Sequence, residues 1–242
     1  MLINVNPQLF LTIFDKDIQD PVNEFLFQQP IAMKQPIGIL AIFLVFNFFG
    51  VFSTIAQPWN LEKEEDGIKI YTRRESNSSL KSYKGVAIFH APMEKVCAMI
   101  GNAKNFDWWG EDFKNIKVLS YEEKKYVRYY YIYDMPWPFT DRDLAVEVTI
   151  KTDSATGEYI VVSKPLLMVV PEKPDLVRIK KNWQIWTILQ LDKGNVKVTL
   201  EGVIDPGGNI PDWFCNILTT EMPLKTIRSL RNRVYSPKPA NK

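Results

Sequence analysis

Histidine and cysteine are nearly missing, with one histidine and two cysteines in 242 residues. That removes most metal and nucleophile chemistry. A structural zinc site needs a cluster of soft ligands, and Cys97 and Cys215 lie far apart in no motif. They read as small buried apolar residues, with a disulfide in an oxidising compartment as the alternative. His90 stands in a strand-like segment with no Ser or Cys beside it in sequence, so a nucleophile–base pair has little to build on. Glycine-rich phosphate loops are absent too. Pro206-Gly207-Gly208-Asn209 reads as a turn, and no Gly-x-Ser-x-Gly elbow occurs. Charge of one sign is also lacking: 30 basic residues face 28 acidic ones, a net charge of +2. No overall field draws nucleic acid. The expectation is therefore no catalytic residue, no metal, no cofactor and no nucleic-acid partner.

Aromatic residues, by contrast, are abundant: seven Trp, ten Tyr and fourteen Phe. So is one apolar run, "IGILAIFLVFNFFGVFSTIA" at 37–56, of about the length that crosses a bilayer. Read from Met33, Lys34 is a basic n-region, the run is an h-region, and cleavage falls after Ala56 or Gln57, making a signal peptide. Read from Met1, the run is a membrane anchor. Both readings export the remainder of the chain, to the periplasm or outside, or tether it to a membrane. A buried core helix is the third reading. Residues 1–57 thus form an N-terminal segment, 58–236 one domain, and 237–242 a disordered tail.

The domain reads as hairpins between two helices. Asp66-Gly67 is a turn signal before the alternating Ile68, Ile70 and Thr72. A second alternating segment covers 80–91. Pro92 opens a short helix with Val96, Met99 and Ile100 on one face, stopped at Gly101-Asn102. Hairpins come next over 116–136, 143–166 and 175–206, with turns at Glu122–Lys125, Thr156-Gly157 and Lys193–Asn195. The segment 211–235 carries apolar residues at helical spacing, with Pro211 in its first turn and Pro223 inside it. It is the one element long enough to cover a long antiparallel sheet.

Alternation assigns the buried face. It places Val127, Tyr129, Tyr131 and Tyr133 inward, then Leu144, Val146, Val148 and Ile150. Odd positions carry the apolar residues over 177–191, including Ile179, Trp183 and Ile185, and even ones over 196–204, including Val198 and Leu200. Such a face either packs solidly or curls around a cavity; alternation does not choose. Trp108-Trp109 suits a pocket mouth or a membrane-touching loop, or core packing of at least one ring. In "MPWPFTDRDLAVEV" (135–148), Trp137 and Phe139 are expected to pin the loop to apolar neighbours, and Asp141-Arg142-Asp143 to tie the turn by ion pairing. Lys225, Arg228, Arg231, Arg233, Lys238 and Lys242 crowd the last twenty residues without an acid, as cations at a helix C-terminus or as contacts to anionic lipid.

Five stretches, in order, carry a family pattern: "WNLEKEEDGIKIYTRR", "APMEKVCAMI" ahead of "WW", the tyrosine strand ending in "MPWPFTDRDLAV", "VRIKKNWQIWTI", and "PGGNIPDWFCNILTTEMPLKTIRSLRNRV". From Trp59 to Val234 the chain resembles a START (StAR-related lipid-transfer) domain of the Bet v 1-like, helix-grip superfamily, in a bacterial form. The resemblance implies an α+β helix-grip fold, a curved antiparallel sheet wrapped around a long C-terminal helix with an internal hydrophobic cavity. It implies a monomer that binds or transfers a lipid or other hydrophobic molecule without catalysis. Tyr129, Tyr131, Tyr133, Val146, Val148, Val161, Ile179, Trp183, Ile185, Val198, Leu200, Ile217 and Met222 would form the wall. Trp108, Trp109 and Pro223 would form a gate or membrane contact. Sterol-binding members carry a buried arginine–acid pair inside the cavity; Leu144, Val146 and Val148 offer no counterpart. Two other readings remain open: an aromatase/cyclase-like enzyme of the same superfamily, and a structural domain with a filled core.

Overall fold

The structure, a computed structural model, describes residues 57–75, 81–102, 106, 108–208 and 210–236, with Asp212 described by its backbone only. The signal-peptide and anchor readings of 37–56, and the tail 237–242, lie outside the described residues. Among the described residues, no helix is long and apolar enough to cross a membrane.

Ten strands and two helices make up this part of the chain. β1 (Asn60–Glu65), β2 (Ile68–Arg74) and β3 (Lys81–Phe89) precede α1 (Met93–Ile100). Then come β4 (Phe113–Glu122), β5 (Tyr126–Tyr133), β6 (Arg142–Thr152), β7 (Tyr159–Pro165), β8 (Val177–Arg178), β9 (Lys181–Asp192) and β10 (Asn195–Asp205). α2 (Asp212–Tyr235) closes the fold. The sheet order is β1-β2-β3-β10-β9-β7-β6-β5-β4, every pair antiparallel, with β8 alone pairing parallel to the start of β6. This is the expected helix-grip architecture, with each expected hairpin present. The charged opening conceals β1, whose side chains are mostly exposed on a sheet edge. Asp66 and Gly67 both take positive φ (50° and 72°), the backbone that a two-residue hairpin between β1 and β2 requires.

α2 lies on the inner face of the sheet. Met222, Leu224, Ile227, Leu230 and Val234 are buried in one cluster with Ile68, Ile70, Phe89, Val198 and Leu200. Gly85 makes that contact close: a Cβ there would stand 2.3 Å from Ile227 Cδ1. Polar contacts fix the helix further. Lys63 Nζ of β1 donates to Glu221 at 2.8 Å, and Arg228 pairs with Glu65 and Asp66 of the β1–β2 turn. Arg231 donates to the Asp66 carbonyl at 2.6 Å. Two of the helix's basic residues are thus engaged by the protein itself. Pro223 is buried within α2 without ending it. The preceding turn uses its own hydroxyls: Thr219 and Thr220 donate to the carbonyls of Cys215 and Asn216.

Candidate functional site: the inner face beside the helix

The inner face divides into two halves. α2 packs on β2, β3 and β10, and α1 packs on β9. The other half, on β5 and β6, forms its own cluster of Val127, Tyr129, Tyr131, Leu144, Val146 and Ile179, and no residue of α2 belongs to it. Its cover comes from the loop after α1. Trp109 meets Tyr129, Tyr131 and Phe113 edge-on, at centroid distances of 5.0, 5.4 and 5.6 Å. Phe113 in turn meets Tyr131 and Tyr133, each at 5.4 Å. This half is a wall of rings and branched aliphatics, the surface that suits an apolar partner.

The phenols on the wall stay neutral. Burial pushes Tyr129 and Tyr133 up to about 12, the nearby Asp112 and Asp134 adding to the effect at Tyr133. Burial pushes Tyr131 and Tyr83 up further. Neutral phenols can orient a polar group by hydrogen bonding, but they supply no base at ordinary pH. Among the described residues, no group of three His, Cys, Asp or Glu is placed to hold a metal. His90 is exposed, its Nδ1 2.5 Å from Asn195 Oδ1, with Asp192 holding the other side of Asn195.

Two clefts reach the inner face. One, of about 680 Å³, opens between α1 and the strand ends, lined by Cys97, Gly101, Tyr121, Val127, Ile150 and Tyr159 among others. Burial pushes the Cys97 thiol up to about 11, which makes it an inert lining group rather than a nucleophile. The other, of about 210 Å³, runs along the seam between Trp109–Phe113 and α2 at Met222, Lys225, Thr226 and Ser229. Ser229 Oγ donates to the Trp108 carbonyl at 2.6 Å and latches that seam.

Several sequence expectations meet their positions here. Tyr129, Tyr131, Val146 and Ile179 are buried in the aromatic half. Val161, Val198, Leu200 and Met222 are buried in the half that α2 covers, and Val148 touches both. Tyr133 is half-buried at the edge of a small cluster with Met135, Phe214 and Leu218. Others need correction. Trp183 and Ile185 stand on the outer face, opposite Val203 and Glu201, whereas Gln184 and Trp186 point inward opposite Gly202 and Leu200. The chain leaves β8 at Ile179 and re-enters the sheet at Lys181, so the period-two count slips by one residue. Ile217 is exposed on α2, not on a wall. Trp108 is buried in the core, 5.9 Å from Trp186, so of the tryptophan pair only Trp109 faces the seam.

The Asp141–Asp143 triplet is also wired differently from the expectation. Arg142 makes no ion pair with its neighbours; its guanidinium donates to the carbonyls of Thr140, Pro206 and Gly207. Asp141 accepts the Met135 amide at 2.9 Å. Asp143 pairs instead with Arg178, through Nε at 2.8 Å and a second guanidinium nitrogen at 2.9 Å, with both side chains almost wholly buried. Tyr130 donates to the same carboxylate at 3.0 Å. This buried pair lies on the outer face, beneath residues 166–176, beside Tyr130, Ile132 and Ala145. It is therefore not a polar group inside the cavity region. Trp137 pins nothing: it is 93 % exposed, and only Phe139 packs, on Trp213 and Phe214.

Comparison with known proteins agrees with this geometry. No family model matches the chain. A solved STAR-related lipid transfer protein from Xanthomonas axonopodis superposes with a TM-score of 0.66 and 28% identity, over 74% of this chain and 99% of that one. The chain is similar in fold and in sequence to this START (StAR-related lipid-transfer) domain. An uncharacterised protein of Pseudomonas aeruginosa is 32% identical to it over 185 residues, 76% of this chain and 91% of that protein. Rat phosphatidylcholine transfer protein is 24% identical over 164 residues, 65% of this chain and 75% of that protein. Like that solved START protein, the chain has an antiparallel sheet with a long C-terminal helix packed on its inner face.

Proposed function

We propose that this START-like domain binds one hydrophobic molecule, a lipid, against the aromatic half of its inner face and carries it without covalent change. One observation carries the reading: α2 covers the β2–β3–β10 half, while the Tyr129–Tyr131–Val146 half is faced by the Trp109–Phe113 loop. A loop can swing away without unfolding a core helix. The named lipid-transfer relatives support the class of ligand. The driving force is ordinary: each 100 Å² of apolar ligand surface removed from water contributes about 2.5 kcal/mol. The neutral phenols of Tyr129, Tyr131 and Tyr133 would orient a head group. The Trp109–Phe113 seam, latched by Ser229, would be the gate. Non-catalytic action is in keeping with the wall's chemistry: among the described residues its buried cluster offers phenols held protonated, with no carboxylate or imidazole within it.

Organic extraction of the purified full chain, with mass spectrometry of the extract, tests this. A lipid recovered in stoichiometric amount supports it. A chain that carries none, and melts no higher with any added lipid, would instead be a scaffold with a filled core.

A further inference from the structure

The aromatic half of the inner face changes character along its strands. β5 and β6 run antiparallel there, and their inward residues pair as Tyr131 with Leu144, Tyr129 with Val146, and Val127 with Val148. Ile150 stands one inward step further along β6. Phenols therefore gather at one end of this strip, where Tyr133 follows Tyr131. The other end, Val127, Val148 and Ile150, is purely aliphatic. From Tyr131 to Val127 the strip measures about 13 Å, at roughly 3.3 Å for each strand residue. Its aliphatic end does not stop at packed protein. Val127 and Ile150 also line the cleft of about 680 Å³ between α1 and the strand ends. Val127 is a member of the buried aromatic cluster, and Val148 packs against that cluster. The apolar floor thus continues from the wall into the cleft.

We propose that the lipid lies along this strip with its polar end at the tyrosines and its acyl tail running past Val127 into the cleft beside α1. The inference rests on the aromatic half as the lipid's place and adds its direction and a single long hydrocarbon chain as its tail. The wall itself sets the direction. Tyr129, Tyr131 and Tyr133 offer hydroxyls to a polar group, whereas the reverse orientation would bury that group among aliphatics without a partner. The cleft suits a tail. Cys97 of α1 and Tyr159 of β7 form its sides, and a Cβ at Gly101 would collide with the Tyr159 hydroxyl, so the end of α1 closes tightly on β7 there. A half-buried neutral thiol behaves as a small apolar group. The charges of the cleft, on Glu122, Glu123, Lys124 and Lys151, all stand on its exposed rim. An apolar floor with polar groups only at the edge is the construction of a site for an apolar chain. A tail longer than the strip leaves the wall and enters this cleft, so the wall places no ceiling on chain length.

The test uses the full chain as its Cys215→Ser variant, which leaves Cys97 the single cysteine. It is loaded with monooctanoylglycerol or with monooleoylglycerol, and native mass spectrometry reads whether each is bound. The octanoyl chain is shorter than the strip and the oleoyl chain longer. Reaction of Cys97 with N-ethylmaleimide is then followed at alkaline pH, because burial, with Glu94 adding to it, holds the thiol up to about 11. With the oleoyl ester bound, labelling should slow by about tenfold or more, since a covered thiol reacts only through local opening. With the octanoyl ester bound, it should match the empty chain. Ala98→Trp, at an exposed position on the cleft, should lose the oleoyl ester and keep the octanoyl one, and Ala98→Ser should keep both. A chain that binds neither ester overturns this proposal together with the reading on which it rests. Two bound esters with labelling unchanged by either overturn the direction alone. So does equal protection by the two, which would mean that α1 tightens over any ligand.

Discussion

Replacing Asp143 by asparagine should be among the most damaging conservative changes in the domain. The Arg178 guanidinium it faces is 2 % exposed and the carboxylate 1 %. Asparagine keeps the shape and one acceptor oxygen but removes the charge, leaving a buried cation with only neutral acceptors, the amide oxygen and the Val170 and Pro171 carbonyls. Breaking one side of such a pair costs about 3–5 kcal/mol, because desolvation of the surviving charge is no longer offset. For a domain of this size that is a fall in melting temperature of about 6–20 °C. Arg178→Met in the same chain should recover part of the loss, since it removes the orphaned charge, although the introduced amide and the Val170 and Pro171 carbonyls then lack that donor or acceptor. Acid provides an independent check. Burial acts to raise the Asp143 carboxyl, but Arg178 and the Tyr130 hydroxyl hold it net below its ordinary value. A carboxyl lowered on folding stabilises the protein above its unfolded pKa, about 4, and loses that contribution as pH falls further. The Asp143→Asn variant should therefore lack this part of the wild type's acid destabilisation below about pH 4. Urea unfolding across pH measures both effects. A loss under about 1 kcal/mol, or a double variant no better than the single one, would refute the reasoning.

Two further changes separate stability from binding. Arg142→Ala strips the Thr140, Pro206 and Gly207 carbonyls of their donor, only that of Pro206 being buried, and should cost about 1–3 kcal/mol by chemical denaturation, while the co-purifying ligand stays the same; a changed ligand with an unchanged melting point contradicts that. Ser229→Ala removes the latch on the Trp108 carbonyl, and should cost about 1 kcal/mol and speed ligand exchange between vesicles in a stopped-flow assay.

Much of the fold is legible in the sequence, for local reasons. Asp66-Gly67, Glu122–Lys125 and Lys193–Asn195 punctuate the hairpins, and the Val127–Tyr133 and Leu144–Ile150 alternations place the aromatic half correctly. The failures are just as physical. A single break in extended chain at Ile179–Lys180 inverts every face assignment after it in β9, and alternation contains no sign of that break. Asp143 has Arg142 beside it in sequence, yet β8 brings Arg178 alongside from 35 residues away. Neighbouring strand residues point to opposite faces, so Arg142 cannot reach what Asp143 reaches. Trp137 reads as a packing residue because tryptophan usually is one, yet it stands 93 % exposed. Phe113 and Phe106, both in the ring cluster around Trp109, carry no signal in the sequence, because a turn-like aromatic stretch has no period to assign them.

A lipid carried as proposed lies against the aromatic half of the inner face. Val146 is buried at the middle of that half, between Tyr129 on β5 and Pro165 on β7. Val146→Trp would fill the space a ligand needs. Native mass spectrometry of the wild type and this variant, both confirmed as folded, tests the claim most directly. One lipid per chain is expected in the wild type and none in the variant. Equal lipid occupancy in the two would place the ligand elsewhere and contradict it.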